Sequence, residues 1–178
     1  MIRSFNGKTP VIAETAFISE AAYVIGDVII GENCSVWPGA VIRGDIGGII
    51  IGNNTAVEDN AVIHAGSPTQ PDQNLIIGDS VHIGHGAVIN CARIGSHVLV
   101  GMNATLLHDV LIGDYCIIAA AALVKQGMRV PDKSFVVGVP ARIKGEVTQE
   151  QLWWVEQAPK EYLNLMKMHK KESRGSPE

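Results

Sequence analysis

The chain has 178 residues, enough for one domain with a substantial core, and its 14 Lys plus Arg against 18 Asp plus Glu give a formal net charge of -4. The basic residues gather near the C-terminus rather than in a central stripe, which argues against a nucleic-acid partner. Hydrophobic residues make up 47% but aromatic ones only 5%, with 19 glycines, so the core must come from small branched side chains.

The first segment, "MIRSFNGKTPVIA", lacks a basic region followed by a long apolar run. No stretch of the chain approaches the roughly 20 apolar residues a membrane span needs. The expectation is a cytoplasmic protein with no membrane partner.

From residue 30 an aliphatic side chain recurs every six residues: Ile30, Val36, Ile42; Ile51, Val57, Ile63; Ile77, Ile83, Ile89; Ile94, Val100, Leu106; Ile112, Ile118, Val124. Gly and a polar or small residue often follow, as in "IGEN", "IGNN", "IGDS" and "IGSH". Six matches neither the 3.6-residue period of an amphipathic helix nor simple strand alternation. It predicts an all-β solenoid with three short strands per coil, each coil of about eighteen residues advancing one strand spacing, about 4.8 Å. The register slips by three near "IGGIII", breaks at "AGSPTQPDQN" and shortens by one between Ile89 and Ile94. Functional loops on rigid scaffolds often lie at such breaks.

The coil frame assigns neighbours. The position after the third aliphatic reads Arg43, His64, Asn90, Leu107 down one edge, so His64 and Asn90 should stack in consecutive coils. On a neighbouring edge the positions after the second aliphatic bring Glu58, Asp59 and His85 together. The two edges are different corners of a triangular prism, too far apart within one chain for His85 and His64 to share a ligand. A homotrimer can set one corner of a subunit against another corner of its neighbour.

Cys34, Cys91 and Cys116 are an odd number without C-x-x-C spacing, which reads as buried thiols in a reducing compartment. At the C-terminal end "TQEQLWWVEQ" has a capping-box pattern, Thr148 with Gln151 three residues on. The expected organisation is a β-helix over 1–146, a helix over 147–170 packed on it, and a disordered tail over 171–178. Pro159 should kink or interrupt that helix, and Trp153 and Trp154 read as packing residues.

The segments "VIRGD" at 41–45, "VEDNAVIH" at 57–64, "IGHGAVIN" at 83–90, "VGMNATLL" at 100–107 and "VGVPAR" at 137–142, in that order and followed by a helix, resemble the γ-class carbonic anhydrase family over roughly residues 10–170. The branch it resembles most is the one linked to phenylacetate and carnitine metabolism, to which thioester hydrolysis is also attributed. The resemblance implies a left-handed parallel β-helix, a homotrimer, and zinc or iron held by three histidines from two subunits. His64 matches the first ligand and His85 the one donated by the adjacent subunit, while Asn90 stands at the third. Arg43 and Asp45 match the family's interface ion pair, and Asp59 its partner aspartate. Glu58 stands where the family usually has Gln.

Three ligands and an open position bring the pKa of a bound water toward about 7, making hydroxide available for attack on CO2 or on a thioester carbonyl. Asn90 departs from the pattern, since an amide oxygen is a poorer zinc donor than imidazole. Glu58, if it reaches the metal, restores a set of two His and a carboxylate. The loop after His64 offers only Asp72 as a proton shuttle, against the acidic loop of the family's fast enzymes. Arg43 with Asp45 also reads as a purely structural ion pair, and Asn90 as an inactivating substitution. His82, His97 and His108 read as solvent-facing, with His82 near enough to His85 to be a spare donor. Three functions stand open: a metal-dependent hydratase or hydrolase acting on a small molecule, a catalytically silent trimeric scaffold, and a hexapeptide-repeat acyltransferase with a His general base.

Overall fold

The computed structural model describes residues 1–66 and 74–173. The period-six aliphatics are the inward-pointing residue of each short strand, and parallel pairing stacks them coil on coil. Ile30, Ile51, Ile77, Ile94, Ile112 and Val130 form one column. Val36, Val57, Ile83, Val100, Ile118 and Val136 form the second. Ile42, Ile63, Ile89, Leu106 and Val124 form the third. Each of these side chains is at most 3% exposed. Burying one contributes roughly 1.5–3 kcal/mol, so the stacked columns carry the solenoid. The alanines two residues before the third column, Ala40, Ala61, Ala87, Ala104 and Ala122, are buried too. Small side chains there leave room for the large ones that follow.

The result is a left-handed parallel β-helix of about seven turns with one C-terminal helix. Strands Tyr23–Ile30 and Val41–Ile51 run unbroken through the corner between the third face and the first. Their pairing jumps from Gly26↔Gly44 to Val28↔Ile49, so residues 45–48 bulge outward where the sequence slips by three. That bulge projects Asp45 beside the next coil. The corner between the second and third faces needs one left-handed residue per coil, and Gly86 supplies it with φ of +68°.

Strand Ser134–Val137 pairs antiparallel with Arg142–Glu146, which turns the chain back toward the second face. There α1 (Gln149–Ser173) begins with the expected capping box: the Thr148 amide donates to Gln151 Oε1 at 2.9 Å and the Gln151 amide to Thr148 Oγ1 at 3.2 Å. Val155 and Leu152 pack on Ile117, Leu99 and Phe135, and Tyr162 and His169 lay their rings against Trp37.

Pro159 does not interrupt α1, the second of the two effects expected of it: the helix runs continuously through that residue, with anchors to the sheet on both sides. It also extends to Ser173, taking in three residues assigned to the tail, while 174–178 lie outside the described residues. Trp153 and Trp154 are 51% and 56% exposed and meet each other edge-on at 4.8 Å. Cys34, Cys91 and Cys116 are free and buried as expected. No helix among the described residues is long and apolar enough to cross a membrane.

Candidate functional site

The candidate residues fall into two clusters on two corners of the prism. The first lies where the third face gives way to the first. Arg43 is registered directly on His64, and the bulged Asp45 reaches both. Arg43 Nη1 donates to Asp45 Oδ2 at 2.6 Å, His64 Nε2 lies 2.9 Å from Asp45 Oδ1, and Arg43 Nη2 approaches His64 Nδ1 at 3.4 Å. A guanidinium only donates, so Nδ1 is the acceptor and Nε2 carries the proton toward Asp45. Partial burial pushes the Asp45 carboxyl up, but the Arg43 and His64 hydrogen bonds and charges outweigh it and leave it below its ordinary value. The pair that the resemblance places at an interface here closes within one chain.

Asn90 stands over His64, since Ile89 is registered on Ile63. Its amide nitrogen donates to the carbonyls of His64 and Gly66, at 3.1 and 3.2 Å, and this turns Oδ1 toward His108 Nε2 at 3.2 Å. The two carbonyls lie at and just past the end of the strand Val62–His64, where a side-chain donor takes the place of the ladder. Asp72 lies outside the described residues.

The second cluster occupies the corner between the second and third faces. Asp59 Oδ2 holds His85 Nδ1 at 3.0 Å, and Glu58 Oε2 lies 3.1 Å from His85 Nε2 and accepts the His85 backbone N–H at 2.7 Å. Glu58 Oε1 lies 2.6 Å from His82 Nε2, and the Tyr162 hydroxyl donates to the same carboxylate. Burial pushes the Glu58 carboxyl up, but the hydrogen bonds from His82 and Tyr162 and the neighbouring imidazoles bring it below its ordinary value. Burial and the Glu58 charge together raise the Tyr162 phenol, so it stays a donor. A cavity of about 260 Å³ opens here, lined by Glu58, His82, Gly84, His85, Gly101 and Met102 among others. A Cβ on Gly84 would come within 2.8 Å of the Met102 backbone nitrogen, so coil stacking demands the glycine.

His82 is only 7% exposed, which corrects the solvent-facing expectation. It points out of the sheet, but outward on the second face means under α1, where its ring meets Tyr162 edge-on at 4.8 Å. Its Nδ1 is buried without a hydrogen-bond partner among the described residues. Tyr162 was not singled out from the sequence, because nothing in the six-residue repeat says where on the prism the helix docks. His108 sits beside Asn90, and His97 stacks on Tyr115 at 4.7 Å. A second cavity, about 390 Å³, lies between α1 and the corner carrying His97 and Tyr115; it holds none of the candidate ligands.

No group of three His, Cys, Asp or Glu side chains among the described residues is placed to hold a metal within one chain. The two imidazoles that the resemblance pairs are on separate corners, each fixed by a carboxylate. A carboxylate on the far nitrogen is how metal-ligating imidazoles are commonly oriented, and Asp59 does this for His85. The outer surface beside the His64 corner is unusually apolar. Val11, Ile29, Ile50 and Ile76 stand in register on it, 42–63% exposed.

Sequence comparison matches residues 9–44 and 91–126 to the bacterial transferase hexapeptide (six repeats) family. The chain is 36% identical over 163 residues to the carnitine operon protein CaiE of Escherichia coli K12, covering 92% of this chain and 81% of that one. It is 37% identical over 171 residues to the mitochondrial gamma carbonic anhydrase 2 of Arabidopsis thaliana, covering 95% of this chain; it spans 62% of that relative's length. Among solved structures, a putative acetyltransferase of Bacillus cereus superposes with a TM-score of 0.89 at 34% identity, covering 96% of each chain.

Proposed function

The chain belongs to the γ-carbonic anhydrase-like family of hexapeptide-repeat proteins, and we propose that it works as a metal-dependent hydratase or hydrolase whose site forms between subunits of a homotrimer. The observation that carries this reading is the separation of two prepared imidazoles, His64 and His85, on different corners of one chain. A second copy is what brings such corners together. The exposed ladder Val11, Ile29, Ile50 and Ile76 beside the His64 corner supports self-association, since a monomer gains nothing from a contiguous apolar stripe in water.

The donor set is two imidazoles, one from His64 and one from His85 of the partner subunit, with the Asn90 amide oxygen in place of a third. Such a set would hold zinc or ferrous iron more weakly than three imidazoles would. When bound, such an ion supplies Lewis acidity toward water and a carbonyl. The chain's own residues do the rest. Asp59 fixes the tautomer and aim of His85. Arg43 keeps Asp45 ionised, so Asp45 orders His64. Glu58, charged and buried, faces the cavity with an acceptor oxygen toward His85 and would receive a proton or orient a water there. CO2, a lyase substrate, and a thioester carbonyl are the electrophiles such a site serves. The three buried, unpaired thiols suit a reducing compartment, and we place the protein in the cytoplasm.

Metal content of the purified protein and of His64→Ala and His85→Ala variants, read beside CO2 hydration and acyl-CoA hydrolysis rates, tests this. Bound metal in the wild type, its loss in both variants, and chelator-sensitive turnover are expected. A catalytically silent trimer is the second reading, favoured because His64, His85 and Asn90 are all satisfied within the chain. A trimer that takes up no metal and turns over neither substrate establishes it. Turnover of acyl-CoA only with an added acceptor points instead to acyl transfer.

A further inference from the structure

The amide of Asn90 is not free to turn. Its nitrogen is committed to the carbonyls of His64 and Gly66, so its oxygen must face the other way, and what it faces is an imidazole, His108 Nε2, at 3.2 Å. His108 comes from the next coil: Leu106 is registered on Ile89, so Leu107 stands over Asn90 and His108 is the residue after it. Three consecutive coils thus bring His64, Asn90 and His108 to one corner, with the His64 main-chain carbonyl on one side of the amide and the His108 imidazole on the other.

The spacing has a chemical meaning. Two ligands of a tetrahedral zinc or iron, each with a bond of about 2.0–2.1 Å, lie about 3.3 Å from one another. Asn90 Oδ1 and His108 Nε2 already stand at that separation, as an edge of such a tetrahedron would. From this we infer that His108 supplies the imidazole missing at position 90, and that the ion of the proposed centre is held by His64, His108 and His85 of the partner subunit, with the Asn90 oxygen beside it. The inference rests on the metal-dependent, two-subunit reading. The third nitrogen has moved one coil along the solenoid, to a position outside the motif that marks the family's ligands. His108 in place of a lone amide oxygen also returns the donor set to one that suits zinc or ferrous iron.

A hydrogen bond from His108 Nε2–H to Asn90 would occupy the same distance, so the test must separate ligation from support. The full-length protein is stripped with chelator and titrated with Co²⁺ alone, following the visible absorption of the ion and the metal content after desalting. Oligomeric state and thermal unfolding are checked for every variant. Wild type, His64→Ala, His108→Ala and His108→Gln are compared. The Gln side chain keeps an N–H for Asn90 but is a poor ligand. The inference expects both His108 variants to weaken Co²⁺ binding by more than tenfold and to alter its absorption, with the oligomer intact. It is overturned if His108→Gln binds Co²⁺ as the wild type does, since a hydrogen bond then suffices, or if His108→Ala does. If His64→Ala loses Co²⁺ while the His108 variants keep it, only this inference fails and the two-subunit reading stands. If the wild type takes up no Co²⁺, both fail.

Discussion

Glu58 and His82 form a buried pair, Oε1 to Nε2 at 2.6 Å, with side chains only 4% and 9% exposed. The same carboxylate takes the His85 side chain, the His85 backbone N–H and the Tyr162 hydroxyl. One acidic residue therefore ties the second-face strands, the candidate ligand corner and α1 together. Glu58→Gln keeps one acceptor oxygen but removes the charge and turns an N–H toward groups that donate. A loss of about 1–3 kcal/mol in urea unfolding is expected, the cost of leaving buried donors unpaired. An unchanged unfolding midpoint would show that the cluster does not hold the helix.

The solenoid was legible because its signal is repetitive: one inward aliphatic per strand, repeated coil after coil, fixes both the fold and which residues stack. That is why Asn90 is found over His64, and Glu58, Asp59 and His85 together, as the repeat predicts. What lies outside the repeat was not legible. His82 reads as exposed because it follows the outward phase of its strand, and only the docked α1 makes that phase buried. Tyr162 escapes notice for the same reason. His108 is one residue off the Asn90 column, and a column argument ignores side chains that reach diagonally.

Ile50 sits in the middle of the exposed ladder, paired with Ile29 and Ile76 and 42% exposed. Its side chain points away from the core columns, so a charge there leaves the coil packing intact. If the proposed trimer forms through this ladder, Ile50→Glu lowers the mass seen in sedimentation toward that of a monomer while preserving the circular dichroism spectrum. A trimer unaffected by that charge would move the interface to another face.

Burial pushes the Cys34 thiol up to about 11 and that of Cys91 to about 12, from an ordinary 9.0. The folded state holds these protons more tightly than the unfolded chain does. Stability from this source is therefore complete below pH 9 and falls as pH rises from about 9 toward 11 for Cys34 and toward 12 for Cys91, by up to about 1.4 kcal/mol per unit for each thiol. Urea midpoints measured from pH 8 to 10.5 should decline more steeply for the wild type than for Cys91→Ala. Neither thiol should react with a disulfide reagent at pH 8 until the protein is unfolded.

Asn90→His restores the residue that the family resemblance expects at the third ligand position, and it has two opposed effects. The amide's bonds to the His64 and Gly66 carbonyls are lost, so the metal-free variant should be less stable than the wild type by about 1–3 kcal/mol. An imidazole on the His64 column is a better zinc donor than an amide oxygen, so zinc should bind more tightly and return that stability by mass action. Thermal unfolding with chelator and with added zinc separates the two. The midpoint of Asn90→His should lie below the wild type's without metal and rise further on adding it. A variant destabilised in chelator that zinc fails to rescue would mean that position 90 serves the strand end alone and lies outside the reach of any ion between His64 and His85 of the partner subunit.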